Sequence, residues 1–114
     1  MSQSAQQFIY TLRLQRPAIL TEGPTDTEAA VLQQHAGYLA NLARQGDVLL
    51  AGRTQVSTPE TFGIVLLNTS DQTAAEAMMR NDPAVKHSVM QAKLFPYQIA
   101  VLSEQIVDAG PADD

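Results

Sequence analysis

The chain contains no cysteine. That absence removes disulfide scaffolds, thiolate zinc sites and thiol nucleophiles together. Basic residues are scarce: seven Lys and Arg stand against twelve Asp and Glu, for a net charge of −5, and the seven form no cluster. Phosphate neutralisation needs a basic surface, which argues against nucleic acid as a partner. Long apolar runs are missing too. Even runs such as Ile64-Val65-Leu66-Leu67 are far short of a membrane span. Gly46, Gly52 and Gly63 lie too far apart to form a phosphate-cradling loop. The opening residues Met1 to Gln7 are polar and lack the basic-then-apolar order of a signal peptide. The expected setting is therefore the cytoplasm, away from membranes.

What is present is a core. Of 114 residues, 45% are hydrophobic, which suits one globular domain and excludes disorder. Residues 1–6 form a flexible polar leader, residues 7–102 the domain, and residues 103–114 an acidic tail ending in Gly110, Pro111, Asp113 and Asp114.

Within the domain the elements follow from local pattern. Residues 8–14, Phe-Ile-Tyr-Thr-Leu-Arg-Leu, alternate and are rich in aromatic and branched side chains, which predicts a strand. Pro17, Gly23 and Pro24 predict a loop. Thr25 followed by Glu28 fits a capping box, so a helix begins there and runs to about Gln45, with Gly46 as its stop. Residues 48–54 and 61–67 read as two strands whose short polar connection favours antiparallel pairing. Thr69 or Ser70 caps a second helix, with Asp71 near its positive end. Asn81-Asp82-Pro83 ends it, because the residue before proline avoids the helical region, and Pro83 opens a short turn. A last strand is expected over about 89–102, with Pro96 marking an edge or a bulge.

The order strand, helix, strand, strand, helix, strand predicts an α+β, ferredoxin-like βαββαβ fold. It is a four-stranded antiparallel sheet with two helices on one face. The third strand is apolar on both sides: Phe62, Ile64 and Leu66 on one, Val65 and Leu67 on the other. A sheet with helices on one face needs only one apolar side, so the second side needs a cover. A second copy of the sheet is the economical one, which predicts a homodimer through sheet faces.

The residue that breaks the apolar pattern is His35. Leu32, His35, Leu39 and Leu42 recur at three- and four-residue spacing, with Val31 and Tyr38 beside them, so one helix face carries a single imidazole. Imidazole titrates near neutral pH, and a half-buried copy is a natural acid or base. From spacing alone, a core histidine held by one hydrogen bond is the favoured reading.

The segment around His35, the strand Leu49-Leu50-Ala51-Gly52-Arg53-Thr54, the apolar strand after Phe62-Gly63, the stretch Asn81-Asp82-Pro83-Ala84-Val85-Lys86 and the closing Leu94-Phe95-Pro96-Tyr97 together resemble the YciI-like (YCII-related) family. The likeness covers roughly residues 7–102. The resemblance implies a ferredoxin-like domain that pairs into a dimeric α+β barrel. It also implies an active site built on a histidine of the first helix and an aspartate of an Asp-Pro turn, which match His35 and Asp82. Most members have no assigned reaction, and a few related proteins act in the breakdown of chlorinated aromatics. Membership thus points to a site more readily than to a substrate.

Each candidate has a plainer reading beside it. Asp82 either serves the pocket or caps the turn at Pro83, and its two oxygens allow both. Arg53, ending an otherwise apolar strand, either anchors an anionic substrate through its guanidinium fork or sits in solvent. Tyr38, one turn from His35, either lines the pocket with Arg53 as a substrate-binding residue or packs. Gly52 fits a bulge or close backbone approach. His87 reads as surface, and Met78 and Met79 as core filling. No His-x-x-x-His pair or dense carboxylate cluster suggests a metal, and nothing calls for a cofactor.

Two function classes follow. One is a small enzyme with His35 as general acid or base and Asp82 orienting it, doing lyase, isomerase or dehydrohalogenase-type proton transfer on a small polar or aromatic metabolite. The other is a non-catalytic ligand-binding or structural dimer. A pocket filled by side chains, or a His35 without a partner, would favour the second.

Overall fold

Alternation in the first strand sets the architecture. In the computed structural model, which describes residues 6–105, β1 spans Gln6–Leu14, and its even residues Phe8, Tyr10 and Leu12 are buried while the residues between them are not. After β1 come α1 (Ile19–Glu22), α2 (Asp26–Arg44), β2 (Val48–Arg53), β3 (Gly63–Thr69), α3 (Gln72–Asn81), α4 (Pro83–Lys86) and β4 (Met90–Tyr97). The strands form one sheet in the order β2-β3-β1-β4, and every neighbouring pair is antiparallel. This is an α+β fold whose two central strands, β1 and β3, are also the most buried.

Register assigns the faces. Tyr10 stands between Val65 of β3 and Leu94 of β4, and Phe8 lies opposite Leu67. These residues, with Val48 and Ala75, form the core, and Leu39 and Leu42 of α2, Met78 and Met79 of α3 and Val85 of α4 pack on it. The helices therefore cover the face that carries Tyr10. On the opposite face Ile9 stands between Leu66 and Phe95, and Leu50 pairs with Leu66 across a register shift in β2. Phe95 and Tyr97 are each 46% exposed there. The doubly apolar third strand expected from the sequence is present.

Helix termini follow their local chemistry. At the start of α2 the Thr25 hydroxyl accepts from the Glu28 N–H, and the Glu28 carboxylate accepts from the Thr25 N–H, a reciprocal cap. Gly46, at φ 84°, closes the helix: its N–H reaches the Ala43 carbonyl, and the Asp47 N–H reaches that of Leu42. The cap of α3 is Asp71, whose carboxylate accepts from the Ala74 N–H, and not Thr69 or Ser70. All three are good capping types, and the extended backbone of Asp71 decides among them.

Two further departures concern element bounds. The expected loop after β1 contains one helical turn, α1, closed by the Glu22 and Gly23 N–H groups on the carbonyls of Ala18 and Ile19. The last strand ends at Tyr97 rather than Leu102. Among the described residues its neighbour is β1, and the pairing of the two strands stops at Gln7↔Tyr97. Residues 101–105 are exposed, Val101 at 90%. The proposed leader, apart from Gln6, and the tail beyond residue 105 lie outside the described residues. Among the described residues no helix is long and apolar enough to cross a membrane.

Candidate active site

The site is built where α2 faces the turn between α3 and α4. Asp82 occupies that turn because Pro83 stops α3 and starts α4, placing one residue as the end of the first helix and the cap of the second. Its side chain has no solvent exposure. A buried carboxylate is tolerated only if its lone pairs are used. Three donors use them here. The His35 Nδ1 lies 2.7 Å from Oδ1, the Ala84 N–H donates to the same Oδ1 at 3.0 Å, and the Tyr10 hydroxyl donates to Oδ2 at 2.7 Å. The two readings of Asp82 therefore coexist: it caps α4 and it holds the imidazole.

This arrangement fixes the ring. With Asp82 as a carboxylate, Nδ1 must carry the proton, which leaves the Nε2 lone pair free in the neutral form. Nε2 has no protein partner among the described residues. The His35 side chain is 15% exposed and lines a cavity of about 510 Å³ between α1, α2 and the β2–β3 side of the sheet. The cavity walls are mostly aliphatic, with Leu14, Leu20, Leu32, Leu39 and Met90 among them, and its polar side chains are His35, Arg53 and Thr61. A mostly apolar pocket with few polar groups is the usual form of a small-molecule site.

Local structure explains the room. Although α2 is 19 residues long, Val31 is its only buried residue, and its Leu32, His35, Ala36 and Leu39 line the cavity instead. The wall opposite is α1, which supplies Ile19 and Leu20. That turn is tied to α2 by Arg16, whose Nε and Nη2 donate to the two oxygens of Glu28 at 2.9 and 2.6 Å, with Nη2 also on the Gly23 carbonyl. The hydrogen bond from Arg16 holds the Glu28 carboxyl down to about 2, from an ordinary value near 4.5. At the sheet wall, Gly63 allows β2 and β3 to close up, since a Cβ there would lie 3.2 Å from the Gly52 carbonyl oxygen.

The structure brings three of the four sequence candidates to this site. His35 and Asp82 are in direct contact, and Arg53 joins His35 in the cavity lining without a carboxylate partner among the described residues. Tyr38 is not in the lining. Its hydroxyl donates to the Met78 carbonyl at 2.7 Å and ties α2 to α3, in line with the packing reading of this residue. Three residues along a helix turn a side chain about 60° from its predecessor, enough to point it at a different neighbour. His87 is exposed at the end of α4. Among the described residues no group of three or more His, Asp or Glu is placed to hold a metal ion.

Sequence reasoning missed Tyr10. Burial is the main cause that pushes its hydroxyl far above the ordinary phenol range, and the nearby Asp82 carboxylate adds to it. Tyr10 therefore stays a donor at every working pH. Burial and Asp82 raise the Tyr38 hydroxyl in the same direction. A signal was present: a tyrosine on the inward face of a central strand needs a partner for its hydroxyl.

The family model of the YCII-related domain matches residues 8–96, and the chain belongs to that family. No curated protein matches it significantly. Among solved structures it is similar to 5-chloro-2-hydroxyhydroquinone dehydrochlorinase from Burkholderia phenoliruptrix, solved in complex with 2,5-dihydroxybenzoquinone. The TM-score is 0.52 and the identity 15%, over 80% of this chain and 93% of that one. At that identity the likeness is one of fold. A conserved protein of unknown function from Bacteroides thetaiotaomicron, described as a possible oxidoreductase, aligns with a TM-score of 0.46 and 9% identity over 86% of this chain and all of the other.

Proposed function

We propose that this chain is a small enzyme in which His35 moves a proton and Asp82 orients it, acting on a small polar or aromatic metabolite. The carrying observation is the 2.7 Å contact of the buried Asp82 carboxylate with Nδ1, which leaves Nε2 as the free nitrogen of a ring that lines an apolar cavity. In the forward step Nε2 takes a proton from an acidic C–H or O–H of the substrate. The imidazolium so formed is stabilised by Asp82, and the proton is returned to another atom of the substrate or to the medium. Elimination, isomerisation and loss of halide all begin this way. The dehydrochlorinase of similar fold is in keeping with that class. Arg53 supplies a permanently charged guanidinium to the cavity lining, suited to a carboxylate, phenolate or enolate on the substrate.

The same reading includes the assembly. The order β2-β3-β1-β4 supports reading the sheet as a ferredoxin-like βαββαβ unit, and a second copy laid over Ile9, Leu66 and Phe95 would form a dimeric α+β barrel.

The test is proton exchange. Wild-type chain and His35→Ala are each incubated in D2O with a panel of small anionic aromatic and enolisable compounds, and deuterium entry is followed by NMR. For a compound that exchanges, His35→Ala should slow entry by roughly a hundredfold or more, the scale of a positioned general base. Exchange that is as fast in His35→Ala refutes the catalytic role. Saturable binding of a compound with no exchange in the wild type favours the non-catalytic ligand-binding alternative.

A further inference from the structure

Tyr10 is fully buried in the middle of β1, spends its hydroxyl on Asp82 Oδ2 at 2.7 Å, and is not in the cavity lining. It cannot touch a substrate, yet it is bonded to the group that orients the imidazole. We infer that Tyr10 is a positioning residue of this site: its hydroxyl keeps Asp82 an ionised acceptor, so that His35 presents Nε2, and not an N–H, to the cavity. The inference rests on the His35–Asp82 reading and adds a third member to it.

The reasoning is one of donor balance. Asp82 Oδ1 already accepts twice, from His35 and from the Ala84 N–H, while Oδ2 accepts from Tyr10. Without the tyrosine hydroxyl, Oδ2 is a buried carboxylate oxygen with no donor, the charge gathers on Oδ1, and the Nδ1 proton passes across the 2.7 Å contact to Oδ1 while Nε2 takes one proton from the medium. A neutral Asp82 then donates to Nδ1. The ring switches to the tautomer with its proton on Nε2, and the group facing the cavity turns from proton acceptor to proton donor. The ionisable groups around the pair are Tyr10 from β1, Asp82 from the α3–α4 turn, Tyr38 from α2 and Arg53 from β2 across the cavity. Tyr38 is committed to the Met78 carbonyl, so it does not replace the lost donor without giving up that bond.

The experiment is nitrogen NMR of His35 in wild type and Tyr10→Phe, with 15N-labelled histidine and His87→Gln in both to leave a single imidazole signal set. Phenylalanine keeps the ring that packs against Val65 and Leu94 and removes only the oxygen. The wild type should show the Nδ1–H tautomer. Tyr10→Phe should raise the ratio of Nε2–H to Nδ1–H roughly tenfold or more, the scale of one lost charge-assisted hydrogen bond. If a substrate is in hand, kcat should fall while KM stays near its wild-type value, because Tyr10 makes no contact in the cavity. An unchanged tautomer ratio in a folded Tyr10→Phe overturns the inference, since a purely structural tyrosine would alter stability alone. If Tyr10→Phe does not fold, 3-fluorotyrosine at this position keeps ring and hydroxyl and makes a stronger donor. The His35 Nδ1–H proton should then move upfield, as Asp82 accepts more weakly from the ring, and an unmoved signal overturns the inference. The tautomer readout needs no turnover, so its failure is distinct from the absence of an activity.

Discussion

Replacing Asp82 by alanine tests whether this carboxylate holds the fold as well as the imidazole. Three donors lose their acceptor: the Tyr10 hydroxyl, the Ala84 N–H and the His35 Nδ1–H. The first two are buried, and each buried donor left unpaired costs about 1–3 kcal/mol. His35 borders the cavity and regains water, so it adds little. Against this stands the desolvation that Asp82 suffers in the native state and that alanine does not, a penalty of several kcal/mol per ion before its hydrogen bonds offset it. The net loss expected is about 2–4 kcal/mol, a large share of the roughly 5–15 kcal/mol that stabilise a domain. Asp82→Asn keeps one acceptor oxygen for Ala84 and His35 and should cost about half as much. Urea unfolding followed by far-ultraviolet circular dichroism and tyrosine fluorescence, at one fixed protein concentration, measures both. Asp82→Ala placed in a Tyr10→Phe background should cost less than in the wild type, because one orphaned donor is already gone. An Asp82→Ala chain within about 0.5 kcal/mol of wild type would refute the account, since that is the range of an ordinary surface substitution.

Phe95→Glu adds a charge at a position that a lone chain leaves 46% exposed, so the folded signal should persist while light scattering shows the mass halved. A wild type that already scatters as a monomer at micromolar concentration ends the dimer reading. Glu28→Gln should weaken the tie between α1 and α2. The carboxyl is depressed to about 2, so its stabilisation is present above the ordinary carboxylate range and lost as pH falls through about 2. Wild type and Glu28→Gln should therefore differ at neutral pH and converge in strong acid, and curves that stay parallel throughout would contradict the Arg16–Glu28 pairing.

Sequence signals were strongest where the physics is local. Alternation placed β1, the Thr25–Glu28 pair and Gly46 bounded α2, and proline placed Asp82 between two helices. The doubly apolar β3 announced a second face in need of cover before any sheet was drawn. Signals failed where a distant partner decides. Whether a residue after Tyr97 is a strand depends on where β1 begins, ninety residues earlier in the chain. Which of Thr69, Ser70 and Asp71 caps α3 depends on backbone angles that three similar side chains all permit. Tyr10 and Asp82 are 72 residues apart, and nothing in either neighbourhood says that they meet. Tyr38 is open in the same way: proximity to His35 along the helix allows a shared pocket or packing, and its hydroxyl bonds the Met78 carbonyl of α3.

Asp82 does two jobs with one oxygen, and this bears on how such a chain drifts over time. Selection for a folded domain alone is enough to keep the aspartate, because its loss strands the cap of α4 and the tyrosine in β1. His35 has no such insurance. It donates one bond at the edge of a cavity, and a different side chain there leaves the core intact. Were the proposed proton transfer lost in a descendant, the Asp-Pro turn should remain and the helix residue change. In sorting active from retired members of this fold, the aspartate is a poor witness and the histidine a good one.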